Sequence, residues 1–514
     1  MKQLSYHHFI YALFPVLFIF LDNINEIPLN DLFLPLVTAV LILIIPWGIL
    51  TYFIGQKRSA LISTLFIFII IIFAYTRSGF IYHEILDLRI LASNYILIPI
   101  FLAFTIGISI YILRKEISPK VTQTLNIMSL VMVSFLIFQI GLFSMVDESF
   151  VEAQELLDVP VFQMNENITT PNVYLLMLDA YSGNILLEND FEYDNSEFYK
   201  QLRERGFFVQ ERSFSNYPNT ELSMPSIMNM NYLDFLIQMQ GENSDDMRLT
   251  QKLWNENKVM QVFQANGYEI YSFHGRNGSS SDMVTANFCT LPFNYSLDFV
   301  RALSDFYIPI SSIREKVGLD THFRTVSCVL ETTKDFEEPN NPFYMHMHIR
   351  LPHQPFVFDA EGNRVSEPHR EFHRFDERLK DAYLQQTLFT NSKTIEIIDS
   401  IQQKDPSTVI ILMSDHAGRF DIDWENPSEI DLYRGLNNLM TVYFPEKESL
   451  IPEHISTVNV FRIFFNIYFN AEYEILDERH IWYSPQTPLL QNDVTDLIKS
   501  STIGKKNIIF EEEL

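Results

Sequence analysis

Five apolar stretches crowd the first 145 residues, and they constrain the fold more than any other feature of the chain. They run over Phe9–Leu21, Leu32–Ile54, Ala60–Tyr75, Tyr95–Leu113 and Leu125–Phe143. A helix needs about 20 apolar residues to cross the bilayer core. The second, fourth and fifth stretches reach that length, and the first and third need their flanks. The first lacks a small-residue cleavage site and is followed at once by another stretch, so it reads as a span and not as a removed signal.

Charge divides the chain at the same place. The whole carries 37 Lys+Arg against 64 Asp+Glu, a net of −27. Residues 1–145 hold eight Lys/Arg and six Asp/Glu, a net of +2, which leaves −29 for the remainder. A hydrophobic content of 47% excludes a disordered chain. The acidity and the absence of a basic tract exclude a general nucleic-acid binder. Two cysteines, Cys289 and Cys328, exclude a disulfide scaffold or a cysteine-rich zinc module, and leave open whether the two pair or stay as thiols.

The loops between the stretches set an orientation. Lys57-Arg58 lies between the second and third, and Arg114-Lys115 with Lys120 between the fourth and fifth. Asp22, Glu26 and Asp31 lie between the first and second, and Asp147-Glu148, Glu152, Glu155 and Asp158 follow the fifth. The positive-inside rule places the N-terminus in the cytoplasm and everything after Phe143 outside, which an odd number of spans requires. No charge lies well inside a stretch, so the spans read as an anchor.

Behind an acidic, then Asn/Thr-rich connector, the pattern becomes α/β. Val173–Leu178, Glu269–Phe273, Phe343–Ile349, Thr408–Met413 and Met440–Phe444 read as strands. Asn195–Arg205, Val259–Ala265, Leu379–Gln403 and Val458–Phe469 read as helices. The alternation predicts a mostly parallel sheet covered on both faces.

In such a sheet ligands bind beyond the carboxyl ends of the strands. Asp179 follows the first strand, and Ser414-Asp415-His416 follows an apolar run. A carboxylate beside an imidazole suits a divalent cation, although an Asp at a strand-to-helix turn also caps helices. Thr220 precedes a short helical pattern, where taken alone it reads first as a cap, although a hydroxyl there is also well placed as a metal-activated nucleophile. His353 sits between two prolines after a strand and can bind a transferred anion or protonate a leaving group. His348 shares a strand face with His346, which reads as packing. His274 ends another strand.

The set Asp179, Thr220, His353 and Asp415-His416, in that order, resembles the alkaline phosphatase/sulfatase superfamily. The likeness is to its membrane-anchored branch of lipoteichoic acid synthases and phosphoethanolamine transferases. The resemblance implies an N-terminal five-helix transmembrane domain followed by an extracytoplasmic sulfatase-like (alkaline phosphatase-like) α/β/α sandwich domain. The expected divisions are 1–145 for the spans, 146–170 for the connector, 171–490 for the catalytic domain and 491–514 for a tail. It implies a multi-pass protein of the cell (inner) membrane. Asp179, Thr220, Asp415 and His416 would hold one divalent metal ion, zinc or manganese first, magnesium or calcium second. Thr220 and His353 would be catalytic, and His274, His348 and Arg419 would bind substrate, with Arg434 another source of positive charge.

Two departures narrow the resemblance. Formylglycine sulfatases carry Cys/Ser-x-Pro-x-Arg, whereas Ser223-Met-Pro-Ser-Ile227 ends in Ile, so no formylglycine is expected. The family's Ser-Asp-His-Gly has Ala417 for its Gly, and the next histidines, His454 and His480, are distant, so a second metal is not expected. The implied activity is transfer of a phosphoethanolamine- or phosphoglycerol-type head group from a membrane lipid to a lipid or envelope glycan through a covalent threonine. The competing readings are a phosphoric or sulfuric ester hydrolase with the same site, and a non-catalytic binder of anionic glycan or lipid.

Overall fold

The computed structural model describes residues 4–22, 24, 29–82, 94–143, 147–164, 170–274, 283–289, 311–365 and 376–503. They form two compact units, one of Met1–Asp147 with Phe293–Gly318 and one of Glu148–Pro292 with Leu319–Leu514.

The first unit holds the apolar helices. Among the described residues four are long and apolar enough to cross a membrane: Phe33–Ile54, Gln56–Phe73, Ile96–Arg114 and Pro119–Leu142. The expected fifth is the first, and here the structure differs: His7–Asp22 is a helix of only 16 residues. At 1.5 Å per residue it is about 24 Å long, short of a hydrocarbon core of about 30 Å. It packs by Val16, Leu17 and Phe20 against Val133, Leu136 and Ile140. Polar contacts fix its start: His7 Nδ1 lies 2.8 Å from Thr64 Oγ1, and the His7 amide donates to Asn126 Oδ1 at 3.1 Å.

The second unit is a mixed α/β sandwich. Its strands are β1 (Val173–Leu178), β2 (Phe208–Val209), β3 (Glu269–His274), β4 (Ala286–Phe288), β5 (Phe343–Ile349), β6 (Val409–Ser414) and β7 (Met440–Tyr443). They form one sheet in the order β2-β7-β6-β1-β5-β3-β4. The five strands from β6 to β4 run parallel, whereas at one edge β7 runs antiparallel to β6 and β2 antiparallel to β7. A separate hairpin joins β8 (Ile481–Ser484) to β9 (Thr487–Asp493).

Strand alternation sorts the side chains into two cores. Val173, Leu175 and Met177 face Met224 and Ile227 of the helix Thr220–Asn229, together with residues of Lys258–Ala265 and Val460–Phe469. Tyr174, Leu176 and Leu178 face Phe198 and Leu202 of Ser196–Glu204, Val326 and Val329 of Ser311–Asp335, and Ile397 and Ile398 of Glu377–Lys404. With both faces covered, β1, β5 and β6 are buried throughout, which is why they read as continuous apolar runs.

The segments read as connector and tail carry structure of their own. Asp147–Leu156 is helical, and β9 and the helix Thr495–Ser500 extend past residue 490. The acidic end, Glu511–Leu514, lies outside the described residues. Cys289 and Cys328 are paired in a disulfide that ties the residue after β4 to the helix Ser311–Asp335.

Candidate active site

Three adjacent parallel strands, β5, β1 and β6, deliver the site at their carboxyl ends. Asp179 follows β1, and Asp415-His416 follows β6, its neighbour in the sheet. Ala180 takes a left-handed backbone conformation, φ 61°, unusual for a residue with a Cβ. Its amide donates to Asp415 Oδ1 at 3.2 Å, as does the His416 amide at 3.0 Å. The Asp179 amide donates to the Ile349 carbonyl at 2.9 Å, and its carbonyl accepts from the His353 amide at 3.1 Å. The β1 turn is thereby bonded to both neighbouring loops.

The fourth member comes from a helix. Thr220 opens the helix Thr220–Asn229, and its Oγ1 lies 2.6 Å from Asp415 Oδ2 and 3.0 Å from His416 Nε2. Ser223, one turn on, donates to the Asp415 carbonyl at 2.7 Å and is buried, so it braces the loop after β6 instead of facing the cluster.

Proton counting tests whether these residues fit a cation. His416 Nδ1 lies 2.7 Å from the Ala417 carbonyl oxygen, an acceptor, so the ring proton sits on Nδ1 and Nε2 presents a lone pair. Thr220 has one proton for two acceptors, Asp415 Oδ2 and His416 Nε2. Asp179 Oδ1 is buried, meets no hydrogen-bond partner among the described residues, and lies 3.7 Å from the same Nε2. Ligand atoms of Asp179, Asp415 and His416 all fall within 4.8 Å of one another. Two buried carboxylates and a bare imidazole nitrogen converge, with the Thr220 hydroxyl oxygen beside them, with too few protons, a donor set that fits a divalent cation.

Titration follows the same field. Burial, and next the negative Asp415, push the Asp179 carboxyl up. Burial opposes ionisation of Asp415 too, but His416, His348 and the Thr220 hydroxyl outweigh it and hold Asp415 well below the usual carboxylate range. Burial, with the Arg419 charge, lowers His416 to about 4, which keeps it in the neutral form a metal requires.

The remaining expected residues surround this cluster. His348 Nε2 lies 3.8 Å from Asp415 Oδ2, and its ring stands edge-on to Trp254. His353 Nδ1 is 2.5 Å from the Gln354 carbonyl, so its neutral form presents Nε2 as an acceptor. Burial, Arg350 and Arg419 together push His353 well below the ordinary histidine value. Arg419 bonds Asn219, the residue before Thr220. Arg434 is committed elsewhere, to Asp190 at 2.7 Å. His274 ends β3 in register with His348, and its side chain and Gly275 lie outside the described residues. His346 is buried within β5 beside Tyr344.

One charged neighbour was not among the expected residues. Arg350 Nε lies 3.9 Å from Asp179 Oδ2. It stands immediately past the carboxyl end of β5, the position that singled out Asp179 and Asp415, so the same strand-end rule reaches it.

The family model described as Sulfatase matches residues 171–435, more than half of the chain and all of this cluster. The chain belongs to the sulfatase family. It is therefore an enzyme of the alkaline phosphatase/sulfatase superfamily, carrying a sulfatase-like α/β domain behind apolar helices. No curated protein matches the sequence. Among solved structures it is similar to the C-terminal periplasmic domain of EptC from Escherichia coli in complex with zinc, at 10% identity and a TM-score of 0.39, covering 67% of this chain and 98% of that one. It is similar to the periplasmic domain of the phosphoethanolamine transferase EptC from Campylobacter jejuni at 14% identity and 0.37, covering 64% and 97%. It is similar to the 2-O glycosaminoglycan sulfatase BT1596 at 13% and 0.38, covering 60% and 72%. The family assignment rests on the sulfatase match.

Proposed function

We propose that this sulfatase-family enzyme transfers a phosphoethanolamine- or phosphoglycerol-type head group from a membrane lipid to an envelope acceptor, through a covalent intermediate on Thr220. The observation that carries the reading is the placement of Thr220 Oγ1 at 2.6 Å from Asp415 Oδ2 and 3.0 Å from His416 Nε2. A hydroxyl inside an acid/imidazole cluster is where a nucleophile belongs. The serine of Ser223-Met-Pro points instead to a backbone carbonyl.

Asp179, Thr220, Asp415 and His416 would hold one divalent ion, zinc or manganese by donor type. Bound there, it supplies Lewis acidity that lowers the pKa of the hydroxyl and offsets the developing charge. In the first half-reaction Thr220 Oγ1 bonds to phosphorus and the bond from phosphorus to the lipid alcohol breaks. The hydroxyl proton passes to Asp415 Oδ2, its acceptor, and the departing alcohol takes up one proton from water. Arg350, and Arg419 braced by Asn219, bind the anionic oxygens. In the second half-reaction an acceptor hydroxyl attacks the phosphothreonine. As the acceptor oxygen bonds to phosphorus the bond from phosphorus to Thr220 Oγ1 breaks. His353 Nε2, the acceptor nitrogen of the neutral ring, takes that hydroxyl's proton, and Thr220 Oγ1 recovers a proton from Asp415 Oδ2.

The apolar helices anchor the catalytic domain, taken as residues 171–490, at the lipid surface. The basic loops support a cytoplasmic N-terminus in the cell (inner) membrane, and an extracytoplasmic domain then requires the 16-residue helix His7–Asp22 to cross with the help of its flanks, beside the four longer helices. The Cys289–Cys328 disulfide supports an oxidising, extracytoplasmic location for the domain.

The test is peptide mass spectrometry of the full-length protein from its own membranes, beside Thr220→Ala. An adduct on Thr220 with the mass of phosphoethanolamine or phosphoglycerol, absent from the variant, is the expected result. Activity retained in Thr220→Ala would overturn it, and phosphate release without an adduct would establish a hydrolase instead.

A further inference from the structure

The helix Ser311–Asp335 runs alongside β5, and two aromatic contacts fix its level. At its far end Phe336 packs edge-on against Phe343, the first residue of β5, at 5.4 Å. Thirteen residues earlier Phe323 stacks on Phe358 at 4.9 Å, and Phe358 lies beyond the carboxyl end of β5, five residues after His353. The helix therefore spans the strand from its start to past its end. His322 stands at the end that reaches the strand's carboxyl edge, where Arg350 and His353 emerge.

His322 faces inward. It shares its helix stripe with Val326, Val329 and Thr333, all buried, and is itself only 5% exposed. Its Nε2 is buried and meets no hydrogen-bond partner among the described residues. Buried polar atoms are nearly always satisfied, so an orphaned nitrogen at the rim of a site points to a ligand as the missing partner. The Cys289–Cys328 disulfide, six residues on, pins the helix that carries it.

We propose that His322 is a substrate-positioning residue, whose neutral imidazole donates a hydrogen bond from Nε2 to an oxygen of the phosphate group held between Thr220 and Arg350. The proposal rests on the phosphoryl-transfer reading above. Neutrality follows from the surroundings: burial first, then Arg350 and His353, push this ring well below the ordinary histidine value.

The experiment compares full-length wild type, His322→Ala and His322→Gln in detergent, each loaded with zinc, using calorimetric titration with inorganic phosphate. His322→Ala should bind zinc and melt like wild type yet bind phosphate about tenfold more weakly, the effect of one hydrogen bond to an anion. His322→Gln keeps a donor and should recover most of that loss. Phosphate affinity equal to wild type in His322→Ala would overturn the proposal. So would a loss that Gln does not recover accompanied by weaker zinc binding, which marks a structural role. Wild-type protein that takes zinc but no phosphate would overturn the phosphoryl-transfer reading, and this inference with it.

Discussion

Arg350 and Asp179 meet across 3.9 Å, Nε to Oδ2, while the other oxygen of the same carboxylate faces His416 Nε2 at 3.7 Å. One buried acid thus addresses two positive partners, a fixed guanidinium on one side and the cation position on the other. The carboxylate holds the guanidinium beside the cluster, where under the proposed reaction it would meet an anionic substrate at Thr220.

Replacing Arg350 by Ala should lower kcat/KM by about a hundredfold or more, the scale of losing a charge-assisted contact to a transferring phosphoryl group. It should also move the pH profile. After burial, Arg350 is the largest influence depressing His353, so removing its charge favours the protonated ring and raises that pKa. The acid limb of the rate profile should shift upward in the variant. Arg350→Lys should keep the limb in place and recover only part of the rate, because an ammonium does not reproduce the planar fork. Steady-state rates across pH for the three proteins check both effects.

The strand-end rule explains what was legible in the sequence and what was not. Asp179 and Asp415-His416 follow apolar runs buried on both faces, and such runs need no long-range information to recognise. Thr220 was legible only through its likeness to a known motif, since in isolation a Thr before a helix is an ordinary cap. Its approach to Asp415 joins residues 195 positions apart, which no local pattern encodes. The antiparallel edge at β7 and β2 was not legible because β2 is two residues long and carries no period. The first apolar stretch was read as a span on composition, and its helix, at 16 residues, is shorter than the four that reach spanning length among the described residues. Ala417, a departure from the family's Gly, fits because its backbone does not enter the left-handed region. That conformation falls two residues later at Arg419, φ 60°, whose turn brings the guanidinium to Asn219.

Metal binding should reverse the sign of one substitution. Without a cation, ionised Asp179 sits buried beside ionised Asp415, and burial with that like charge raises its pKa. In excess chelator at pH 8, Asp179→Asn should therefore melt at or above wild type. With zinc at a hundredfold excess over its Kd, wild type should gain about 2.7 kcal/mol and the variant should gain far less. Zinc affinity of wild type should also fall as pH drops through the raised Asp179 pKa, because protons compete for the ligand. Melting curves with and without zinc at several pH values decide this. A variant less stable than wild type in chelator would show that the pair is not strained without metal.

His346 gives the catalytic unit an acid-sensitive core. Burial lowers it from 6.5 to about 3, so the folded protein keeps it neutral while the unfolded chain protonates near 6.5. For a depressed histidine the contribution to stability is fully present above about pH 6.5 and is lost as pH falls toward the folded value. At pH 5 the loss is about 2 kcal/mol. His346→Gln should cost stability at pH 8, where the wild-type ring is undisturbed beside Tyr344, and the gap to wild type should narrow by that amount at pH 5. Thermal melts of both proteins at the two pH values provide the comparison.

Ser223 and Thr220 lie one helical turn apart, and their alanine variants should separate the two candidate nucleophiles. Ser223 Oγ is buried and donates to the Asp415 carbonyl at 2.7 Å. Its removal leaves a buried acceptor poorly satisfied and should cost about 1–3 kcal/mol of stability. The Thr220 hydroxyl and its two partners stay in place, so the adduct on Thr220 should still form, at a rate reduced by whatever drift Asp415 undergoes. Thr220→Ala removes no backbone brace and should leave the melting temperature of the metal-free protein near wild type while abolishing the adduct. Mass spectrometry of both variants alongside their melting curves tests the pair. An adduct that vanishes in Ser223→Ala and persists in Thr220→Ala would move the nucleophile to the Ser-x-Pro position and align the chemistry with the hydrolytic sulfatases.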